Sequence, residues 1–411
     1  MNSEWFQRLI EIESPDATTR TLDFPLVLER GEGSYVWDVE GNRYIDMIAG
    51  FGSLPLGHDT KLLQKSISGT QLIQGFGDVY PTSFKIQFIE QLLSFLPPRY
   101  NRAALAVTGS QAVELAMKTA MLYTGGSGFI SFQASYHGLD LGVLPLVGND
   151  YFRKPFSSWV KSQTVERLPY HCNIELLEKA LCQFQEKGIK PAAVIVEPVL
   201  GRGGFVPASL EWLNDVKRVS EKNNCLLIFD EVFTGFGRAG SATFAELVPC
   251  DLICFGKAIG GGMPLSACVS SQQIMSAWPE NYGEAIHTGT FFGHALSCRV
   301  GFETLKTIEE LDLVKRSSEL GKGFLENLRA SLSKFSAIKE IRGRGLMIAV
   351  EFHDAKISLK TMERLRAKGV LVIPCGVQGE CVSLTPALNV QRDVLKIVLE
   401  KLTEILADLH Q

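Results

Sequence analysis

A lysine and an aspartate, each placed at the end of an apolar run, are the residues of this chain best suited to chemistry. Lys257 follows Asp251-Leu-Ile-Cys-Phe-Gly256 and precedes Ala258-Ile-Gly-Gly-Gly-Met-Pro264, which reads as a flexible turn that leaves its amine accessible. Asp230 closes the run Cys225-Leu-Leu-Ile-Phe229 and is followed by Glu231. Short, continuously apolar runs read as buried parallel strands, so the acid and the amine both lie at strand carboxyl ends. Open α/β sheets bind their ligands at that edge. The two residues are 257 − 230 = 27 positions apart, one helix-containing crossover. They form either an ordinary buried salt bridge or two separate holds on one ligand.

Other strand ends carry groups that suit the second reading. Thr108-Gly109-Ser110 follows the apolar run Ala103 to Val107 and opens a helix. Free backbone N–H groups and the helix dipole favour a phosphate there, while Thr108 with Gln111 equally reads as a capping box. Tyr136-His137-Gly138 offers rings that could stack on a flat heterocycle or simply lie half-buried at the surface. Glu197-Pro198 ends another strand, where the proline halts the ladder and the acid can orient a neighbour. A ligand with a pyridine nitrogen, a phosphate and an aldehyde would employ all of them. Asp230 would hold the nitrogen protonated, Lys257 would form the Schiff base, and Gly109-Ser110 would take the phosphate. That ligand is pyridoxal 5′-phosphate. Lys257, once displaced by an amine substrate, would be free to move the proton.

The elements that must position these groups follow a regular alternation. Helices are expected at Phe84 to Phe95, Gln111 to Leu122 and Leu210 to Asn223. Strands are expected at Ala103 to Val107, Phe129 to Phe132, Ala192 to Val196 and before Asp230 and Lys257. This predicts an α/β fold with a mostly parallel sheet in a large domain, 49–310, and a smaller α+β domain, 311–411. Residues 1–48 form an N-terminal segment whose β-hairpin, Ser34 to Met47 around Glu40-Gly41-Asn42, packs on the small domain.

The chain has 411 residues, 45% hydrophobic and 21% charged, with a net charge of -4, which excludes disordered and fibrous classes. Without clustered basic residues there is no electrostatic footprint for nucleic acid. No leader pattern and no apolar stretch of membrane-spanning length is visible, so a cytoplasmic protein is expected. Nine cysteines, several inside apolar runs, read as reduced core thiols. Cys250 and Cys254 lack a second Cys/His pair at zinc spacing, so no metal is expected. Gly201-Arg-Gly-Gly204 contains no dinucleotide fingerprint, and no phosphate-binding Gly-x-x-x-x-Gly-Lys-Ser/Thr loop is present.

Six segments together resemble the class III (omega) aminotransferases of pyridoxal-phosphate fold type I. They are Ile228-Phe-Asp-Glu-Val-Phe-Thr-Gly-Phe-Gly-Arg238, Phe255-Gly-Lys-Ala-Ile-Gly-Gly-Gly-Met-Pro264, Gly109-Ser-Gln-Ala-Val-Glu114, Tyr136-His-Gly138, Glu197-Pro-Val-Leu-Gly201 and Arg342-Gly-Arg-Gly-Leu-Met347. The resemblance implies an aminotransferase that moves an amino group from an amine or amino acid to an oxo acid or aldehyde by a ping-pong route. It implies that Val232 packs under the cofactor ring opposite Tyr136, that Phe51 and Tyr80 line the substrate pocket, and that Thr290 reaches the cofactor of the neighbouring subunit in a homodimer. Two positions depart from the pattern. Arg202 and Ser383 stand where many members carry a glutamate and an arginine that act as a switchable clamp for carboxylates, so Arg202 is either a carboxylate grip or a solvated loop charge. Gly293-His-Ala-Leu296 also replaces the usual Gly-Asn-Pro-Leu. An aminomutase of the glutamate-semialdehyde type is the alternative activity, and a non-catalytic scaffold is disfavoured because Lys257 and Asp230 are both retained.

Overall fold

The helix–strand alternation builds a seven-stranded sheet in the computed structural model, which describes residues 2–14, 24–68, 73, 75, 77–280 and 283–409. In chain order its strands are β1 (Arg102–Ala106), β2 (Gly128–Phe132), β3 (Val165–Leu168), β4 (Pro191–Val196), β5 (Leu226–Asp230), β6 (Leu252–Phe255) and β7 (Ser266–Ser270). Across the sheet they run β1-β7-β6-β5-β4-β2-β3. Every residue of β4 and β5 is buried, which is why these strands read as unbroken apolar runs.

Strand β7 has no counterpart in the sequence reading. Its Ser-Ala-Cys-Val-Ser is short and built of small residues, so it makes no apolar signal of its own. It runs antiparallel to both β6 and β1, and the sheet is therefore mostly parallel with one reversed strand.

Register sets the functional edge. Phe229 pairs with Val196 and Asp230 with Cys254, so Glu197, Asp230 and the Gly256-Lys257 step leave the sheet side by side. Helix α1 (Gly109–Thr124) lies on the sheet through small and aliphatic residues including Ala112, Val113, Ala116 and Ala120, and ends at Gly125 with φ 69°.

The C-terminal part forms a four-stranded antiparallel sheet of Ile338–Arg344, Met347–Phe352, Cys381–Leu384 and Ile373–Cys375. The stretch 341–352 turns back on itself at Gly345, φ 56°, where an added Cβ would sit 2.4 Å from the Gly240 nitrogen. The N-terminal hairpin, Tyr35–Asp38 with Arg43–Asp46, is joined in parallel by Val370–Leu371. Between these layers a narrow ribbon, Val199–Leu200 with Val206–Pro207, carries Arg202 on its connecting loop. All nine cysteines are free, with eight of them buried. Among the described residues, no helix is long and apolar enough to cross a membrane.

Candidate active site

Lys257 opens a single 3-10 turn, Lys257–Gly260, in place of the expected flexible loop. Its φ of 45° lies in the left-handed region that side chains avoid, and such strain persists only where the surroundings hold it. Its amine nitrogen stands 4.8 Å from the centroid of the Phe233 ring. Burial pulls the Lys257 pKa below its ordinary value, more strongly than the nearby Asp230 and Glu197 raise it. The amine is therefore more readily neutral, the form that serves as nucleophile and base.

Asp230 is paired with His137, not with Lys257. The Asp230 Oδ2 lies 2.6 Å from His137 Nδ1, and its Oδ1 accepts the Val232 N–H at 3.1 Å. His137 is 2% exposed, which corrects its reading as a surface ring. Burial works against its charged form, but the hydrogen bond and charge of Asp230 outweigh it and raise the His137 pKa. The sequence could not show this pair, because 93 residues separate its members.

Glu197 orients two neighbours at once. It accepts the Tyr136 N–H at 2.8 Å and the Gly201 N–H at 2.9 Å. Burial raises its pKa, opposed by the nearby His137. At the start of α1, Thr108 and Gln111 do form a capping box. The cap satisfies N3 and the residues before the helix, so the first-turn N–H groups of Gly109 and Ser110 remain available to a ligand. An added Cβ on Gly109 would sit 2.7 Å from Val232 Cγ1, so only glycine lets the helix start this close to Val232.

One cavity of about 630 Å³ collects Gly109, Ser110, Tyr136, His137, Glu197, Asp230, Val232 and Lys257, together with Phe51 and Arg202. Tyr80 and Thr290 stand apart from it. Tyr80 is exposed on the turn before Thr82, the cap of helix Ser83–Ser94, and borders a separate hollow with Pro81 and Phe84. Thr290 is exposed in the 283–294 stretch.

Glu231, to which the sequence reading gave no role, anchors the loop beneath the site. Its carboxylate accepts the Thr243 hydroxyl at 2.5 Å, the Phe244 N–H at 2.8 Å and the Thr234 hydroxyl at 3.2 Å. Two threonines within thirteen residues of an acid were the available signal. Burial pushes its pKa from 4.5 up to about 7 against those hydrogen bonds. Between those values the folded chain holds a proton that the unfolded chain has released, so stability falls as pH rises through that window. Glu231→Gln keeps a neutral acceptor and is expected to remove a contribution on the order of 3 kcal/mol to that slope. The check is the melting temperature of both proteins from about pH 4.5 to 7; an unchanged slope would assign the dependence to other groups.

Comparison with known proteins identifies the family. The family model described as Aminotransferase class-III matches residues 17–406. The chain is 33% identical to the [LysW]-aminoadipate semialdehyde/glutamate semialdehyde transaminase of Sulfolobus acidocaldarius, over 86% of this chain and 88% of that one. It is 33% identical to the acetylornithine aminotransferase of Methanosarcina acetivorans, over 92% of this chain and 91% of that one. Among solved structures, an ornithine aminotransferase from Toxoplasma gondii superposes with a TM-score of 0.86 at 26% identity, covering 99% of this chain and 95% of that one. That structure is described as having partial occupancy of PLP at its active site.

Proposed function

Because this chain belongs to the class III aminotransferases, enzymes that use pyridoxal 5′-phosphate to move an amino group from an amine or amino acid to an oxo acid or aldehyde, we propose that Lys257 and Asp230 are its catalytic residues. The observation that carries the reading is the convergence of Lys257, the Asp230–His137 pair and the glycine-opened start of α1 on one cavity. These residues fit the cofactor: a helix N-terminus for the phosphate, a hydrogen-bonded carboxylate for the ring nitrogen, and an amine with a lowered pKa for the aldehyde.

In this assignment Gly109 and Ser110 would hold the phosphate, Val232 and Tyr136 would flank the ring, and Glu197 fixes Tyr136 through its backbone N–H. When bound, the cofactor supplies an electron-withdrawing ring and an aldehyde. Lys257 takes and returns the substrate proton, helped by burial that favours its neutral form. Asp230 would hold the proton on the ring nitrogen, and His137 Nδ1 holds the Asp230 carboxylate in place at 2.6 Å.

A homodimer completes the site in this reading. Segments 77–82 and 286–294 are joined by a hydrogen bond from Thr288 to Asp78. They expose Val79, Tyr80, Ile286 and Phe291 as an apolar surface for a second copy, from which Tyr80 and Thr290 would reach the neighbouring cavity. Nine free cysteines support a reducing, cytoplasmic setting.

The test is the absorption spectrum of the purified holoenzyme, taken with a panel of amines and amino acids and no acceptor. The visible cofactor band is expected to disappear with the true donors and return when an oxo acid is added. A band that no donor moves would refute the assignment of these residues to amino transfer.

A further inference from the structure

On the premise that this cavity carries out the amino transfer, we propose that Arg202 selects the substrate by gripping a single carboxylate, and that the remainder of the substrate is apolar. The amino donors are then monocarboxylic amino acids with an uncharged chain, and the acceptors are the matching monocarboxylic oxo acids.

Among the described lining residues Arg202 is the one lysine or arginine besides Lys257, whose amine is committed to the chemistry. The backbone is held on both sides of the Arg202 Cα. The preceding Gly201 N–H is bound to Glu197 at 2.9 Å, and the Arg202 carbonyl accepts the Gly376 N–H of the C-terminal sheet at 2.9 Å. The guanidinium carbon lies 5.5 Å from the Tyr136 ring centroid and 5.2 Å from that of Phe152. A guanidinium stacked on two rings is steadied without losing its N–H fork, which matches a carboxylate bidentately.

Among the described lining residues no second lysine or arginine stands free for another carboxylate, and the buried His137 is already taken by Asp230 at 2.6 Å. The three serine hydroxyls of the wall already donate elsewhere: Ser53 to the Gly50 carbonyl at 2.7 Å, Ser110 to Asp140 at 2.5 Å and Ser383 to the Ile373 carbonyl at 2.8 Å. The acids of the wall, Glu197 and Asp230, would repel it. Much of the remaining surface is Phe51, Leu139, Phe205, Phe233, Met263 and Ile373. An unpaired carboxylate loses its hydration there and gains nothing in exchange, whereas a methylene chain gains from burial.

Calorimetric titration of the holoenzyme with hexanoate and adipate, which differ only in the second carboxylate, tests the proposal directly. Hexanoate is expected to bind at least about tenfold more tightly, and Arg202→Met to weaken it roughly 10- to 100-fold, the worth of a hydrogen-bonded charge pair. Arg202→Lys should recover part of that loss. In amino transfer, norleucine and 6-aminohexanoate are each compared with hexylamine, and the kcat/KM ratio of the better acid to the amine should fall by the same factor in Arg202→Met. Adipate binding more tightly than hexanoate, or affinity and ratio both unmoved by Arg202→Met in a protein with the wild-type melting temperature, would overturn the proposal. If none of these amines alters the cofactor spectrum, the amino-transfer reading fails instead, and the hexanoate titration still decides the role of Arg202.

Discussion

Replacing Lys257 with alanine is expected to lower turnover by about 10⁴-fold, the range of a lost general base, with the loss of the nucleophile added to it. Lys257 combines a left-handed backbone, a position 4.8 Å from the Phe233 ring and a pKa lowered by burial. The first two hold the amine in one place, and burial favours its neutral form. A water molecule or a free amine could replace the charge but not that placement. Alanine carries a Cβ as lysine does, so the backbone strain is unchanged and the fold should survive. Two measurements check this independently. Steady-state turnover reports the chemistry, and borohydride treatment followed by peptide mass analysis reports covalent attachment, expected on the Lys257 peptide of the wild type and absent from the variant. Turnover within tenfold of wild type would remove Lys257 from the mechanism.

Asp230 yields the second large effect, and two substitutions separate its roles. Asp230→Ala breaks a buried charged pair and leaves His137 without its partner, a change expected to cost about 3–5 kcal/mol of stability in addition to activity. Asp230→Asn can still accept from a neutral imidazole, so it should melt closer to wild type. It nevertheless lacks the charge that keeps a ring nitrogen protonated, so its turnover should still fall by about 10²- to 10⁴-fold. The pair also has a pH signature. Because the folded His137 pKa is raised, its contribution is complete below the ordinary value of 6.5 and fades as pH climbs to the raised value. Melting curves across that range should show the fade in wild type and not in Asp230→Ala. An Asp230→Asn enzyme with wild-type turnover would mean that another group protonates the ring.

The outline of this fold was legible because its strongest signals are local. Runs such as 226–229 are apolar throughout since both faces of the strand are covered, and that pattern needs no knowledge of neighbours. The cap at Thr108 and the turn around Gly41 are likewise read within a few residues. Strand β7 escaped because serine, alanine and cysteine carry little apolar contrast, and its place between β1 and β6 is a matter of long-range pairing. Glu231 escaped for a similar reason: a carboxylate next to Asp230 looks like part of the same site until its three hydrogen bonds show that it anchors a loop.

By itself the sequence determined that Lys257, Asp230, Glu197 and Gly109 stand at strand ends or a helix start, since each is adjacent to the run that forms the element. Tertiary structure alone decided which of them meet and what each is free to do. His137 takes the Asp230 carboxylate, Gly376 ties down the Arg202 loop, and Ser383 spends its hydroxyl on Ile373, all through contacts between segments distant in the chain. The physical reason is that propensity and periodicity act over one or two turns, whereas charge pairing and desolvation depend on what strand order and register bring within a few ångströms.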